Sequence, residues 1–588
     1  LALYHDRVTE AVAARLAAPA REEWHGRLAL ALERQGGGDL EALAVHWAHA
    51  NRPQRAASYA ARAGEQAARA LAFDRAARLF RRALELSSES ETLGTSAVET
   101  SRQDVLLKLA DALTNGGRMK EAASVLLTAV EGADPATAVD LRRRAAECLL
   151  CSGHYDEGIA LLRQVIREVG LAYPESALSV VLHCLLVKLL CKVRLRRYER
   201  RAARPATPLE SLRAAVAWSA GNGLGMTDSL RGVVFKGRHV LLVEPSGDAG
   251  QLARAFTWEA LGGGGPDRKY SLRLLDVTRA LAEEDGGPFA LAWLRACEGG
   301  LAYFWGEWQR AAEPLREAEA LFRDRCQGVT FEINSVRLML YRALSFRGLY
   351  AELEARAAAA EKEAHELHDL YALNLLRTVA RTPLALAAGD LAAADDALAA
   401  ARAELPAQGF LVQHYLHLNA EGQLGLYRGD GQQVHERLEA HGAALARSNL
   451  LRIAIIRILV RDQRARAALL AARQGGRREE YLRDAQGQAR ALGRDARYPW
   501  ARALAQVLDG CIAHGRGDTA AALAAFDAGA ITATESGLHV VAASARLRAA
   551  TLRGGDAGRA QEAAARAQLL DMGVRDADAI AQLHAPLP

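Results

Sequence analysis

Cys148, Cys151 and His154 have the residue types of a zinc site and stand three apart. A structural zinc needs a fourth ligand, and no matching pair stands at finger spacing. The trio also straddles a helix end at Gly153, so core cysteines and a capping histidine are the simpler reading. His365 and His368 flank Glu366 and Leu367, one residue short of the i, i+4 spacing that puts two zinc-binding histidines on one helix face. The i, i+3 pairs His46 with His49 and His414 with His417 stand alone. Phosphate chemistry lacks its parts as well. None of the seven lysines follows a glycine, so there is no Gly-Lys loop to hold β- and γ-phosphates. The nearest approach, Gly232 to Gly237, is followed by Arg238 and His239. The glycines 262–265 precede Pro266 with no strand before them and read as a turn. Neither the His-Arg-Asp and Asp-Phe-Gly loops of a kinase nor a Gly-x-Ser-x-Gly elbow is present. No residue is assigned a catalytic, cofactor-binding or metal role, and the chain reads as non-enzymatic.

One cluster is charged enough to attract a ligand. Lys188, Lys192, Arg194, Arg196, Arg197, Arg200, Arg201 and Arg204 face a single acid, Glu199. Two readings follow: a solvated helix end whose arginine stems cover apolar surface, or a patch for an anionic partner such as a lipid headgroup, a phosphorylated segment or nucleic acid. Tyr198 is the one aromatic residue among them, which argues against single-stranded nucleic acid. The apolar run Ala177 to Val193 just before it contains His183, Lys188 and Lys192. It is too short and too charged to span a bilayer and is expected to be a buried helix.

The elements that must position these residues are helices. Half of the 588 residues are apolar but only 6% are aromatic, and prolines number 15. The apolar excess is Ala and Leu, the best helix formers. Net charge is +5, from 75 basic and 70 acidic residues, which gives no global field for nucleic acid or membrane. Seven scattered cysteines read as buried thiols in a reducing, cytoplasmic setting. The chain opens at Leu1 without a charged-then-apolar leader and reads as cut from something longer.

Glycines at 306, 348, 389, 429, 476, 517 and 555 recur about every 40 residues, and Gly117 and Gly153 extend the series upstream. Such a period marks stacked helix pairs. Two residues past each glycine a large apolar side chain recurs (Met119, Tyr155, Trp308, Tyr350, Leu391), and five past it a small one (Ala122, Gly158, Ala311, Ala394, Ala522, Ala560). Phe73 and Ala76 fit the same frame around Leu71. The glycine ends one helix in a left-handed turn, the large residue docks back on that helix, and the small one lets the pair close. Val434 and Tyr481 stand where a small residue is expected, and Pro314 should kink its helix. The pattern resembles the tetratricopeptide repeat (TPR) stretched beyond its usual length. It predicts an all-α fold, a TPR-like α-solenoid in which antiparallel helix pairs form a superhelical array. Four zones are expected: 1–50, a helical segment out of register; 51–170, the first TPR-like pairs; 171–290, an irregular helical middle; and 291–588, the main array. Ser87–Ser101, Arg204–Pro208, Glu244–Gly250 and Gly262–Asp267 are the linker candidates.

Several segments resemble the C-terminal region of large bacterial serine/threonine protein kinases, in which a kinase domain precedes a signal-transduction ATPase module of the STAND/AAA type and a helical region. Leu3-Tyr4-His5-Asp6-Arg7-Val8 is similar to the end of that ATPase's winged-helix part. Ala44-Val45-His46-Trp47 and Ala72-Phe73-Asp74-Arg75-Ala76 resemble the helices beyond it. Phe322-Arg323-Asp324-Arg325-Cys326 with Phe331-Glu332, then Asp369-Leu370-Tyr371-Ala372, carry the strongest likeness, and Met572-Gly573-Val574-Arg575 looks like the family's ending. The resemblance implies a non-catalytic regulatory or sensor arm, with a winged-helix remnant in 1–50 and ATP and magnesium confined to upstream domains. It implies a protein partner or small inducer on the concave face, and gives His5 a contact to nucleotide in the parent protein. Helical arms of this kind also occur in ATPase-type transcription regulators, but no DNA-binding unit closes this chain. A stand-alone interaction scaffold is the other reading.

Overall fold

The computed structural model describes residues 16–36, 39–92, 101–196, 198, 204–246, 248–262, 267–367, 369–405, 409–474, 476–495 and 497–588. His5, Arg197, Arg200, Arg201 and His368 lie outside these described residues, as does the whole of 3–8, the segment likened to a winged helix. Every regular element among the described residues is helical. The chain divides into two compact units, Leu1–Val165 and Ile166–Pro588.

In the first unit, Ala18–Arg34 and Leu40–His49 precede the hairpins Pro53–Arg69 with Phe73–Thr92 and Arg102–Asn115 with Met119–Ala129. The helix Phe73–Thr92 runs through Ser87, where a linker was expected to begin. Alanines dominate the core, with Phe80, Leu109, Leu113 and Leu126 as its large members. In the second unit the hairpins are Pro288–Trp305 with Trp308–Arg325, Thr330–Phe346 with Tyr350–Glu366, Val412–Arg428 with Gly431–Arg447, Pro499–Gly515 with Thr519–Glu535, and His539–Arg553 with Gly555–Asp571. Pro314 sits inside Trp308–Arg325 without ending it.

The turns explain the glycine period. Gly117, Gly153, Gly306, Gly348, Gly389, Gly429 and Gly517 all have φ between +69° and +91°. Each donates its N–H to the carbonyl three residues back, and the next residue donates to the carbonyl five back; Gly306 to Tyr303 O and Glu307 to Ala302 O are typical. This double bond pattern satisfies the open carbonyls of the first helix and reverses the chain in two residues. Leu71 holds the same conformation at φ +59° with the same two bonds, so the frame extends to a turn without glycine. Two turns depart from it. At the last hairpin Gly554, at φ +61°, ends the helix, and Ala560 is exposed while Gly558 is buried. The close-contact position there falls two residues earlier than the glycine series predicts: the helix breaks one residue early, at Gly554, and Gly554 itself caps the start of the next helix, which shortens the turn by one more. Gly476, at φ +69°, follows a short 3-10 turn, Ala472–Gln474, and makes no such pair of bonds.

Packing within a hairpin follows a size rule that complements the turn. The residue seven before the turn faces the residue nine after it. Gly64 with Phe80, Gly299 with Leu315 and Gly510 with Phe526 are three such pairs. A Cβ on these glycines would lie 2.6 to 2.7 Å from the partner side chain, so only glycine admits the larger group. At Gly348 the sizes are reversed, and Tyr341 stands where Ala357 is its counterpart. Val434 is buried at a position expected to be small because Gly425 on the facing helix supplies the space instead.

Gly306→Ala and Gly517→Ala separate the two duties of a turn glycine. Both should lose about 1 kcal/mol from left-handed strain. At Gly517 a Cβ meets nothing within 4 Å, whereas at Gly306 it runs into the Trp500 ring. Gly306→Ala should therefore lose a further 1–3 kcal/mol or so in urea unfolding. Equal losses would show that Gly306 serves only its own turn.

Candidate functional site

The second unit folds back on itself along its row of turns. Gly306 lies against Trp500, and Gly348 against Met572 and Val540. The N–H of Arg575 donates to Ala387 O (2.8 Å), beside the turn at Gly389, and Gln582 reaches Tyr427 O at the turn of Gly429. Four successive turns thus form a track along which the later elements dock, and absent side chains at Gly306, Gly348 and Gly429 permit the close approach.

The final helix, Ala577–His584, ends this track between Val412–Arg428 and His539–Arg553. Asp576 caps its start by accepting the Ala579 N–H (2.9 Å). Three arginines from three other segments hold the carbonyls at its end. Arg466 Nη1 donates to Leu583 O (2.8 Å), Arg548 Nε to Ala585 O (2.9 Å) and Arg473 Nε to Leu587 O. Cations at a helix C-terminus complement both its open carbonyls and its dipole. Arg466 is also paired with Asp462 at 2.6 Å, with both side chains under a tenth exposed.

Behind this helix lies a cavity of about 110 Å³. Thr330–Phe346, the start of Tyr350–Glu366, the segment 377–388, Val412–Arg428, Ala454–Ala471, Pro499–Gly515 and His539–Arg553 converge on it, and Ile580, Leu583 and His584 cover one side. One wall is a π-helical turn, Arg377–Arg381. Pro383 lacks the N–H that Val379 O would accept four residues on, and Thr382 Oγ1 donates to Arg377 O (2.8 Å), so the ladder slips by one residue. That slip turns Thr378 and Val379 toward the cavity. Arg342 also lines it, facing the hydroxyls of Tyr303 and Tyr415. His584 lines the cavity, and burial beside Arg466 pushes its pKa down to about 3.

The basic cluster has a different fate. Lys188 is paired with Glu259 (2.8 Å), Lys192 with Asp267 (2.9 Å), Arg194 with Glu244 (3.6 Å) and Arg204 with Glu210 (2.9 Å). These acids come from elsewhere in the unit, which is why the local run showed only Glu199. Arg196 is exposed. The helix that carries most of the cluster, Ala177–Arg196, is not buried as expected. Val180, Val187, Cys191 and Leu195 face the core, while Leu178, Leu182, Leu185, Leu186, Leu189 and Val193 are each more than half exposed. Both sides of this helix are apolar, so no polar stripe in the sequence marks an outward face. No helix among the described residues is long and apolar enough to cross a membrane.

The histidine and cysteine pairs resolve into local contacts. Cys148 is buried near Thr114, its thiol pushed up to about 11 by desolvation, and His154 Nδ1 lies 3.1 Å from Ser152 Oγ. His417 Nε2 bonds Leu398 O (3.1 Å), and His414 Nδ1 accepts the Leu411 N–H (3.1 Å) at a helix start. His46 Nδ1 lies 2.8 Å from His25 Nδ1. The residues that build the cavity carry no sequence motif. Thr382-Pro383 within an apolar helix was the one signal that could have pointed to its wall.

Arg466→Met should lose about 3–5 kcal/mol, since it leaves Asp462 buried without its partner. Adding Asp462→Leu should recover most of that, yet amide exchange across 577–588 should stay fast in the double variant because Leu583 O has lost its donor. Slow exchange there would mean that Arg466 does not hold the last helix. Acid provides an independent check. His584 and His239, whose pKa is likewise pushed down to about 3 by burial, bind protons in the unfolded chain near pH 6.5 but not in the folded one. Stability is whole above that pH and is lost as pH falls toward 3, by up to about 1.4 kcal/mol per unit for each histidine. His584→Gln should flatten the slope of stability against pH, measured by chemical denaturation; an unaltered slope would place His584 in solvent.

No protein-family model matches the chain, and no curated protein matches it. Among solved structures it is similar to yeast Tom70, at 12% identity and a TM-score of 0.32, over 87% of this chain and 96% of that one. It is also similar to a chain in the structure of Naa15/Naa10 bound to HypK-THB, at 12% identity and a TM-score of 0.23, over 94% of this chain and 100% of that one. Both likenesses are too distant to bear on function. The TPR-like, all-α helical-repeat fold rests on the turns and packing described above.

Proposed function

We propose that this chain is a non-catalytic regulatory arm that takes a small inducer into the interior pocket of its second unit. The observation that carries the reading is the convergence of first helices from successive hairpins on one cavity whose closing wall is a short helix held by three arginines. A pocket of about 110 Å³ suits a small molecule better than a folded partner, because the helix Ala577–His584 already covers the inner face at this point. Binding would bias the docking of Ala577–His584, and a ligand shifts such an equilibrium only by its preference for one state over the other. The proposed parent is a cytoplasmic, multidomain signalling ATPase–serine/threonine kinase, with ATP and magnesium held upstream and with His5 near the nucleotide. An arm of an ATPase-type transcription regulator would use the cavity in the same way.

The second reading is a protein-interaction scaffold. The exposed leucine face of Ala177–Arg196 favours it, since contiguous apolar surface on a helix commonly marks a contact with another protein. The two readings separate in the parent gene and in binding. Coding sequence upstream of Leu1 should contain a Gly-Lys-Ser/Thr loop and kinase signatures, and its reading frame lacking both would sink the signalling-arm proposal. A metabolite extract screened by thermal shift against the intact chain should contain a small stabilising component, whereas stabilisation by proteins alone would favour the scaffold.

A further inference from the structure

The chemistry of the cavity wall narrows what the inducer can be. Its charged side chains are Arg342, Arg466 and Asp462. Arg466 is balanced by Asp462 at 2.6 Å. Arg342 is 9% exposed and makes no ion pair with any described residue. Its neighbours are the neutral hydroxyls of Tyr303 and Tyr415. A guanidinium does not lose its proton in a protein, so the site carries one uncompensated positive charge inside a low-dielectric space. His584 adds none, because it stays neutral there.

Hydrogen-bond bookkeeping points the same way. The amide nitrogen of Asn419 and the Nε–H of Arg466, both on cavity-lining residues, are buried donors with no acceptor in the protein. Buried donors are nearly always satisfied, so two beside an unpaired cation describe a place for an acceptor-rich, anionic group. The remaining wall is apolar, with Val379, Leu386, Leu459, Leu504, Val541 and Ile580 facing inward.

We infer that the cavity binds a small monocarboxylate with a compact apolar body, its carboxylate on Arg342 and its body against the aliphatic wall. A planar carboxylate matches the fork of a guanidinium with two parallel bonds and leaves oxygen lone pairs for further donors. A single net positive charge suits a monoanion and not a phosphate dianion. A cavity of about 110 Å³ has room for a ring-sized body and not for a nucleotide. The inference rests on the reading of this cavity as the ligand site.

Phenylacetate and benzoate, with benzyl alcohol and benzylamine as neutral and cationic counterparts, test it on the intact chain by calorimetry, melting temperature and tryptophan fluorescence. Saturable binding of at least one acid, with a raised melting temperature and a change in fluorescence, is expected, and none for benzylamine. Arg342→Met should weaken the acid by about 10- to 100-fold while raising the melting temperature of the ligand-free protein, because a buried unpaired charge is gone. Arg342→Lys should retain part of the affinity. If benzyl alcohol binds as well as the acids, or Arg342→Met binds them undiminished, the carboxylate assignment falls while the cavity remains a ligand site. If none of the four binds at up to about 10 mM, a weak limit for a specific ligand, both the assignment and the cavity reading fall.

Discussion

The second unit depends on one buried ion pair that also serves as a latch. Arg466 reaches Asp462 with one edge of its guanidinium and Leu583 O with another. A buried pair of this kind gives little net stability compared with well-packed apolar groups. Its geometry here does something an apolar pair does not: it ties residue 466 to residue 583 at a set angle and so positions the last helix over the cavity. The open carbonyls at 585 and 587, each held by a further arginine, extend the same device. Long, always-charged side chains suit it, because they reach across a groove and find carbonyls that a receding helix leaves unsatisfied.

Close packing supplies the surface on which that latch works. Small residues opposite large ones within each hairpin bring paired helices together, and glycine turns leave a bare track for the returning C-terminus. The same glycines therefore do two things. Gly306 and Gly348 reverse the chain and make room for Trp500 and for Met572, whereas Gly517 only reverses the chain. The TPR-like frame is thus uniform in its turns and specialised in what each turn touches.

Much of the repeat was legible from local pattern. The frame at Gly306, Gly348 and Gly389, and even the glycine-free turn at Leu71, follows from residue types within a few positions of each turn. The register at Gly555 slipped because two adjacent glycines offered two places to break the helix, and packing against Gly558 selected the first. The strongest family-like segment proves to be structural: Phe322 is fully buried, and Asp369 caps its helix through the Ala372 N–H while accepting from Asn334. Such residues mark a way of joining hairpins, which is why they say little about a ligand.

By itself the sequence determined what is local: helical composition, the spacing of turns, and the alternation of small and large contacts, all set by backbone conformation and side-chain volume a few residues apart. The tertiary structure alone decided which acids neutralise Lys188, Lys192 and Arg194, which side of Ala177–Arg196 is left bare, and that helices from across the second unit line one cavity with Arg342 in its wall. Those outcomes join residues tens to more than a hundred positions apart. No periodicity records such a pairing, because its free energy depends on where the chain returns and not on what stands next to it.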